Sequence, residues 1–181
     1  METNILNTYV LKALDAYPYD LEETVENLNY ALSYQEDNIH ALFLMGKLQA
    51  EQFGDYEKAK QYYAEVLSIK LDFHKVYSSY IQVLLWNEDF IEAQQLIEFA
   101  FTVKGLSKSE IWVLNDQLLE QKQHYKKALK SFKTAKQVAY NNDFTSFIDS
   151  EISRVKAKIK ANASKKCKKK NPKNKWNKKK K

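Results

Sequence analysis

Tyr56-Glu57-Lys58-Ala59-Lys60-Gln61-Tyr62-Tyr63 is followed by Phe90-Ile91-Glu92-Ala93-Gln94-Gln95-Leu96-Ile97 and by Tyr125-Lys126-Lys127-Ala128-Leu129-Lys130-Ser131-Phe132. It is one phrase written three times: large, then Ala three residues on, then large again four residues later. The alanines fall 34 and then 35 residues apart. A small residue kept in phase between large ones at this period is how a stack of helix pairs is written in sequence, because the small side chain stands where two helices approach closely. Seven residues past each alanine comes another small or medium residue, Val66, Ala100 and Ala135.

Outward from these phrases, apolar residues recur at helical spacing between loop-forming clusters at Asp37-Asn38, Gly54-Asp55, Asn87-Glu88-Asp89, Gly105 with Ser107, and Asn141-Asn142-Asp143. The spacing predicts helices over 4–16, 21–34, 39–52, 56–70, 73–87, 90–103, 108–121, 125–139 and 144–163. Three glycines and two prolines in 181 residues leave little for hairpins or a phosphate-cradling loop, so the expected class is all-α.

The phrases and their period resemble the tetratricopeptide repeat, whose pattern reads W-x2-L-G-x2-Y, then A-x3-F. Ala59 with Tyr63, Ala93, Ala128 with Phe132, and the second small sites Ala100 and Ala135 carry the resemblance in the second helices. Trp112 supplies the tryptophan of the third unit, and Leu42, Met45 and Gly46 fit the W, L and G places of the first. The glycine place then holds Gly46, Ile81 and Asp116 in turn, no terminal proline is present, and one residue is inserted between Gly46 and Gly54. A degenerate unit aligns upstream through Thr24, Leu28 and Ala31.

The resemblance implies a right-handed superhelical array of antiparallel helix pairs over residues 1–164, an α-solenoid. Repeats are expected near 5–38, 39–72, 74–107 and 109–142, with a capping helix over 144–163 that turns Phe144, Phe147, Ile148 and Ile152 inward. It also implies partner binding on a concave face lined by first helices. Mapped onto this register, that face takes Tyr9, Ala13, Tyr17, His40, Phe43, Lys47, Lys75, Ser78, Gln82, Trp86, Glu110, Val113 and Gln117. Tyr9, Phe43 and Trp86 are the expected anchors, with Lys47, Lys75, Gln82 and Gln117 as polar contacts. The Lys/Asn/Arg clamp of chaperone-docking members has no counterpart here.

Charge divides the chain. Residues 165–181 hold eleven lysines and no acid, which leaves 18 basic against 23 acidic groups in the first 164 residues. The tail, with one large apolar residue, is expected to be disordered. Lys165, Lys166, Lys168, Lys169, Lys170, Lys178 and Lys179 beside Trp176 suit a polyanion, the lysines neutralising phosphates and the indole stacking on a base.

No chemistry-bearing motif is present. His40, His74 and His124 lack carboxylate or thiolate companions at metal-ligand spacing, serines lack a nucleophile-elbow context, and a single Cys167 excludes an intramolecular disulfide. Neither a secretion signal nor an apolar run of about 20 residues is present, so a cytoplasmic protein without a membrane span is expected. The sequence therefore points to a non-enzymatic adaptor without metal or cofactor. Its protein or peptide partner and oligomeric state are unspecified. An RNA- or ribosome-associated protein held by the tail, or a secretion chaperone of tetratricopeptide type, are the alternatives.

Overall fold

The computed structural model describes residues 7–137 and 142–170, with side chains described through residue 163. Among these residues the chain is all-helical. The order is α1 (Thr8–Ala16), α2 (Leu21–Tyr34), α3 (Ile39–Leu48), a π turn (Gln49–Phe53), α4 (Tyr56–Ile69), α5 (Lys75–Trp86), α6 (Phe90–Ala100), α7 (Lys108–Gln121), α8 (Tyr125–Gln137) and α9 (Asn142–Lys170). They form two compact units, Met1–Leu106 and Ser107–Lys181.

Short polar residues cap the starts of α1 to α4. Asn7, Asp20, Asn38 and Asp55 each turn a side-chain oxygen back to accept from backbone N–H groups of the first turn. Those donors have no partner inside the helix, which is why Asn and Asp are favoured there. Successive helices then pair: α1 with α2, α3 with α4, and α5 with α6. Val10, Ala13, Leu28, Ala31, Ala41, Leu44, Met45 and Leu48 make one core cluster, and Ala59 and Ala93 are both fully buried.

The turn inside each repeat is itself repeated. Gly54, Glu88 and Gln123 all adopt the left-handed conformation, with φ of 65°, 62° and 59°. Only the first is glycine, so the other two carry steric strain in the same backbone shape.

The residue inserted between Gly46 and Gly54 is absorbed by the π turn. There the chain widens by one residue per turn, and the Gly54 N–H bonds back to the Gln49 carbonyl five residues earlier.

In the second unit α7 packs on α8 and α8 on α9. Val113, Phe132, Ala135, Ile148, Ile152 and Val155 form its cluster, with Trp112 and Phe144 half-buried against it and Ala128 fully buried. Phe147, expected to face inward, is instead 45% exposed, its ring tilted against that of Phe144 with centroids 6.2 Å apart.

Helix α9 runs past the expected end at residue 163 to Lys170. The backbone at Lys165, Lys166, Lys168, Lys169 and Lys170 is thus helical, where a disordered tail was expected. Alanine and lysine are strong helix formers, and neither glycine nor proline interrupts the stretch before Pro172. Trp176, Lys178 and Lys179 lie outside the described residues. No described helix is long and apolar enough to cross a membrane.

Candidate functional site

The residues mapped to the inner face meet different fates. Ala13 and Val113 are buried in the core clusters. Tyr9 is engaged by α2: its ring lies 5.5 Å from Tyr30 and 5.7 Å from Tyr34, with the Lys12 ammonium 5.7 Å from its centroid. Phe43 is half-buried between Tyr63 and Phe73, at 5.9 and 5.5 Å, which makes it a packing residue between helix pairs as much as a surface one.

Trp86 differs. It stands at the end of α5, directly after the buried run Val83, Leu84 and Leu85, yet is 44% exposed. Tyr56 at the start of α4 supports its ring at 5.9 Å. Behind it, Lys60 Nζ donates to Asp89 at 2.6 Å and lies 2.9 Å from Glu57, and Asn87 donates to both acids. Burial opposes the charge of Lys60, but the two carboxylates outweigh it and hold its pKa above the ordinary lysine range. The turn that carries Trp86 is therefore cross-braced to α4.

A second cluster grows from the π turn. Glu51 accepts a 2.5 Å hydrogen bond from the Tyr17 hydroxyl, and Lys47 lies 3.8 Å from Glu51 and 5.1 Å from the Tyr17 centroid. Burial first, then the Glu51 carboxylate, pushes the Tyr17 phenol up to about 12. Lys47 and Glu51 keep 37% and 40% of their side-chain surface exposed, so an ammonium, a carboxylate and a phenol stay within reach of a partner. Lys47 was expected on this face; Glu51 was not, because its direction depends on the extra residue in the turn. Lys75 is exposed and Gln82 half-buried on α5, while Gln117 is half-buried on α7 of the second unit.

His40 and His74 have different neighbours. His40 meets Phe73 edge-on at 5.4 Å, and burial, Lys75 and Lys70 hold it below the ordinary imidazole pKa. His74 instead lies against Gly105, where a Cβ would come within 2.8 Å of its Cε1. Among the described residues no group of three or more His, Cys, Asp or Glu side chains has the geometry to hold a metal ion.

A solved structure titled "MamA RS-1 ArsTM double mutant" superposes on this chain. The TM-score is 0.63 over 87% of this chain and 99% of that one, at 12% identity. That protein is tetratricopeptide-like, and the fold of this chain is of the same kind. No family profile and no curated protein matches the sequence. The likeness is one of architecture.

Proposed function

We propose that the first unit is a non-enzymatic peptide-binding module that takes an extended or helical partner segment along α3 and α5. Trp86 is the apolar anchor, and Lys47 with Glu51, Lys75 and Gln82 engage the partner's backbone and charges. The observation that carries this reading is the half-exposed Trp86 indole on a turn braced by Tyr56, Lys60, Glu57 and Asn87. A rigidly held exposed aromatic is the side chain that most often dominates a binding interface, since it buries a large area at little cost in conformational entropy. Phe43 and Tyr9 shape the surface without acting as free anchors.

The test is a peptide-display selection against the full chain, followed by affinity measurement on purified Trp86→Ala and Lys47→Glu variants. Loss of at least tenfold in affinity for the selected peptides on Trp86→Ala supports the module. Selected peptides that bind both variants as tightly as the parent overturn it.

A further inference from the structure

The second helices of the three clear repeats occupy equivalent places, yet their outward faces differ in charge. On α4, Lys58 and Lys60 are matched by Asp55, Glu57 and Asp89. On α6 the exposed polar residues are Glu92, Gln94, Gln95 and Glu98. On α8, Tyr125–Gln137 contains five lysines and no acid. All five are exposed, and of these only Lys136 has an ion-pair partner among the described residues, Asp149 of α9 at 2.7 Å.

The buried residues Ala128, Ser131, Phe132 and Ala135 define the core side of α8. At 100° per residue, Lys126, Lys130 and Lys133 fall on the opposite crest within a sector of about 60°, over about 10 Å of helix axis. Like charges at i,i+4 on an isolated helix repel, so this file costs the free helix some stability that a polyanion would return. Lys156 and Lys160 of α9 add an exposed i,i+4 pair in the same unit. Charge follows suit at larger scale: residues 1–106 carry 7 basic and 17 acidic side chains, and residues 107–181 carry 22 and 6.

We propose that the α8 crest, through Lys126, Lys130 and Lys133, is a docking track for the phosphodiester backbone of a nucleic acid, built into the folded second unit and distinct from the lysine-rich C-terminus. Its form selects that occupant. The crest has no exposed apolar residue to insert into a lipid surface, which an interfacial helix needs. Lysines in single file match a ligand with one negative charge at every repeating unit, whereas an acidic peptide of mixed sequence matches them only in part.

The test uses the full chain and fluorescent 20-nucleotide single strands of RNA and DNA, titrated over a range of salt. Replacing three phosphate contacts in Lys126→Gln/Lys130→Gln/Lys133→Gln lowers the magnitude of the log–log salt slope by about 2, and weakens binding roughly 10- to 100-fold at 0.1 M salt. The matching triple Lys→Arg variant keeps the charge and retains binding, which separates loss of contacts from loss of fold. The RNA and DNA arms tell which strand is preferred. Unchanged affinity and slope in the glutamine variant overturn the track and leave the C-terminal lysines as the whole polyanion site. Binding to phosphatidylserine vesicles or polyglutamate in preference to either strand overturns the choice of ligand. Because Trp86→Ala leaves strand binding intact and the glutamine triple leaves peptide capture intact, failure here is distinguishable from failure of the peptide module.

Discussion

The ring of Tyr63 occupies the space that a side chain on residue 46 would need: a Cβ built on Gly46 stands 2.6 Å from Tyr63 Cε1 and 2.8 Å from Cδ1. Tyr63 is 1% exposed, so its ring has nowhere to retreat. Gly46→Ala gains about 1 kcal/mol of helix propensity but forces an overpacked contact costing about 1–3 kcal/mol. Net destabilisation follows, read as a lower denaturation midpoint. Tyr63→Leu in the same chain relieves the clash, so the double variant is more stable than the sum of the two single effects allows. An additive pair counts against the contact.

The left-handed turn residues make a prediction of opposite sign. Glu88 and Gln123 hold a backbone shape that costs a non-glycine residue about 1–2 kcal/mol. Glu88→Gly and Gln123→Gly each raise stability, by less than that figure because glycine also loosens the unfolded chain. At Gly54 nothing lies within 4 Å of a built Cβ, so Gly54→Ala tests the backbone alone and lowers the midpoint by a similar amount. Calorimetric melts of the three variants decide it.

At the helix joints, Ala93→Leu and Ala128→Leu overpack by about 1–3 kcal/mol, whereas Ser or Gly at either site costs less. Both alanines have no exposed surface, so the order Leu worst is required; melts in the reverse order would break the register.

That register was legible because periodicity and capping are local properties. Asn38, Asp55, Asp89 and Ser107 stand at the starts of α3, α4, α6 and α7, within clusters readable as breaks from composition alone. The site was less legible, because direction within a helix depends on neighbours far along the chain. Tyr9 turns to Tyr30 and Tyr34, and Glu51 reaches Tyr17 only because one inserted residue widens a turn. The α8 lysines are open to a helical-wheel count from Ala128, but, scattered among neutral residues, they stand out less in sequence than the dense lysines beyond residue 164.

Removing the Glu51 charge isolates the π-turn cluster. In Glu51→Gln an amide oxygen takes the place of the carboxylate as acceptor, so the Tyr17 phenol loses the charge that helps raise its pKa and keeps the larger contribution from burial. Its pKa therefore falls from about 12 only part of the way toward 10. Titration of 13C-labelled tyrosine, with Tyr17 assigned by Tyr17→Phe, reads the shift. No movement means that the π turn does not deliver Glu51 to the phenol.

The second unit sets two carboxylates against each other in pH. Asp116 is fully buried on α7, and its carboxylate oxygens make no hydrogen bond of good geometry, the Ser131 hydroxyl of α8 being near but poorly placed. Burial pushes it up to about 8; the Glu120 charge one turn on adds to the rise, and the Ser131 hydroxyl of α8 opposes it. The folded state thus holds a proton that the unfolded chain gives up near pH 4. Stability falls as pH rises from about 4 to 8, with a slope of up to about 1.4 kcal/mol per pH unit.

Glu120 behaves oppositely. Burial raises it, but Arg154, with Nη1–Oε1 at 2.5 Å, and Lys158 of α9 overcome that and depress its pKa. Its contribution is present above the unfolded glutamate value and is lost as pH falls through the depressed one. The two effects confine maximal stability of this unit to mildly acidic pH. Asp116→Asn flattens the alkaline limb and leaves the acidic one, and Glu120→Gln does the reverse, in thermal melts recorded from pH 3 to 9. An alkaline limb that persists unchanged in Asp116→Asn would remove the buried acid from this account, since no other described carboxyl is raised toward neutrality.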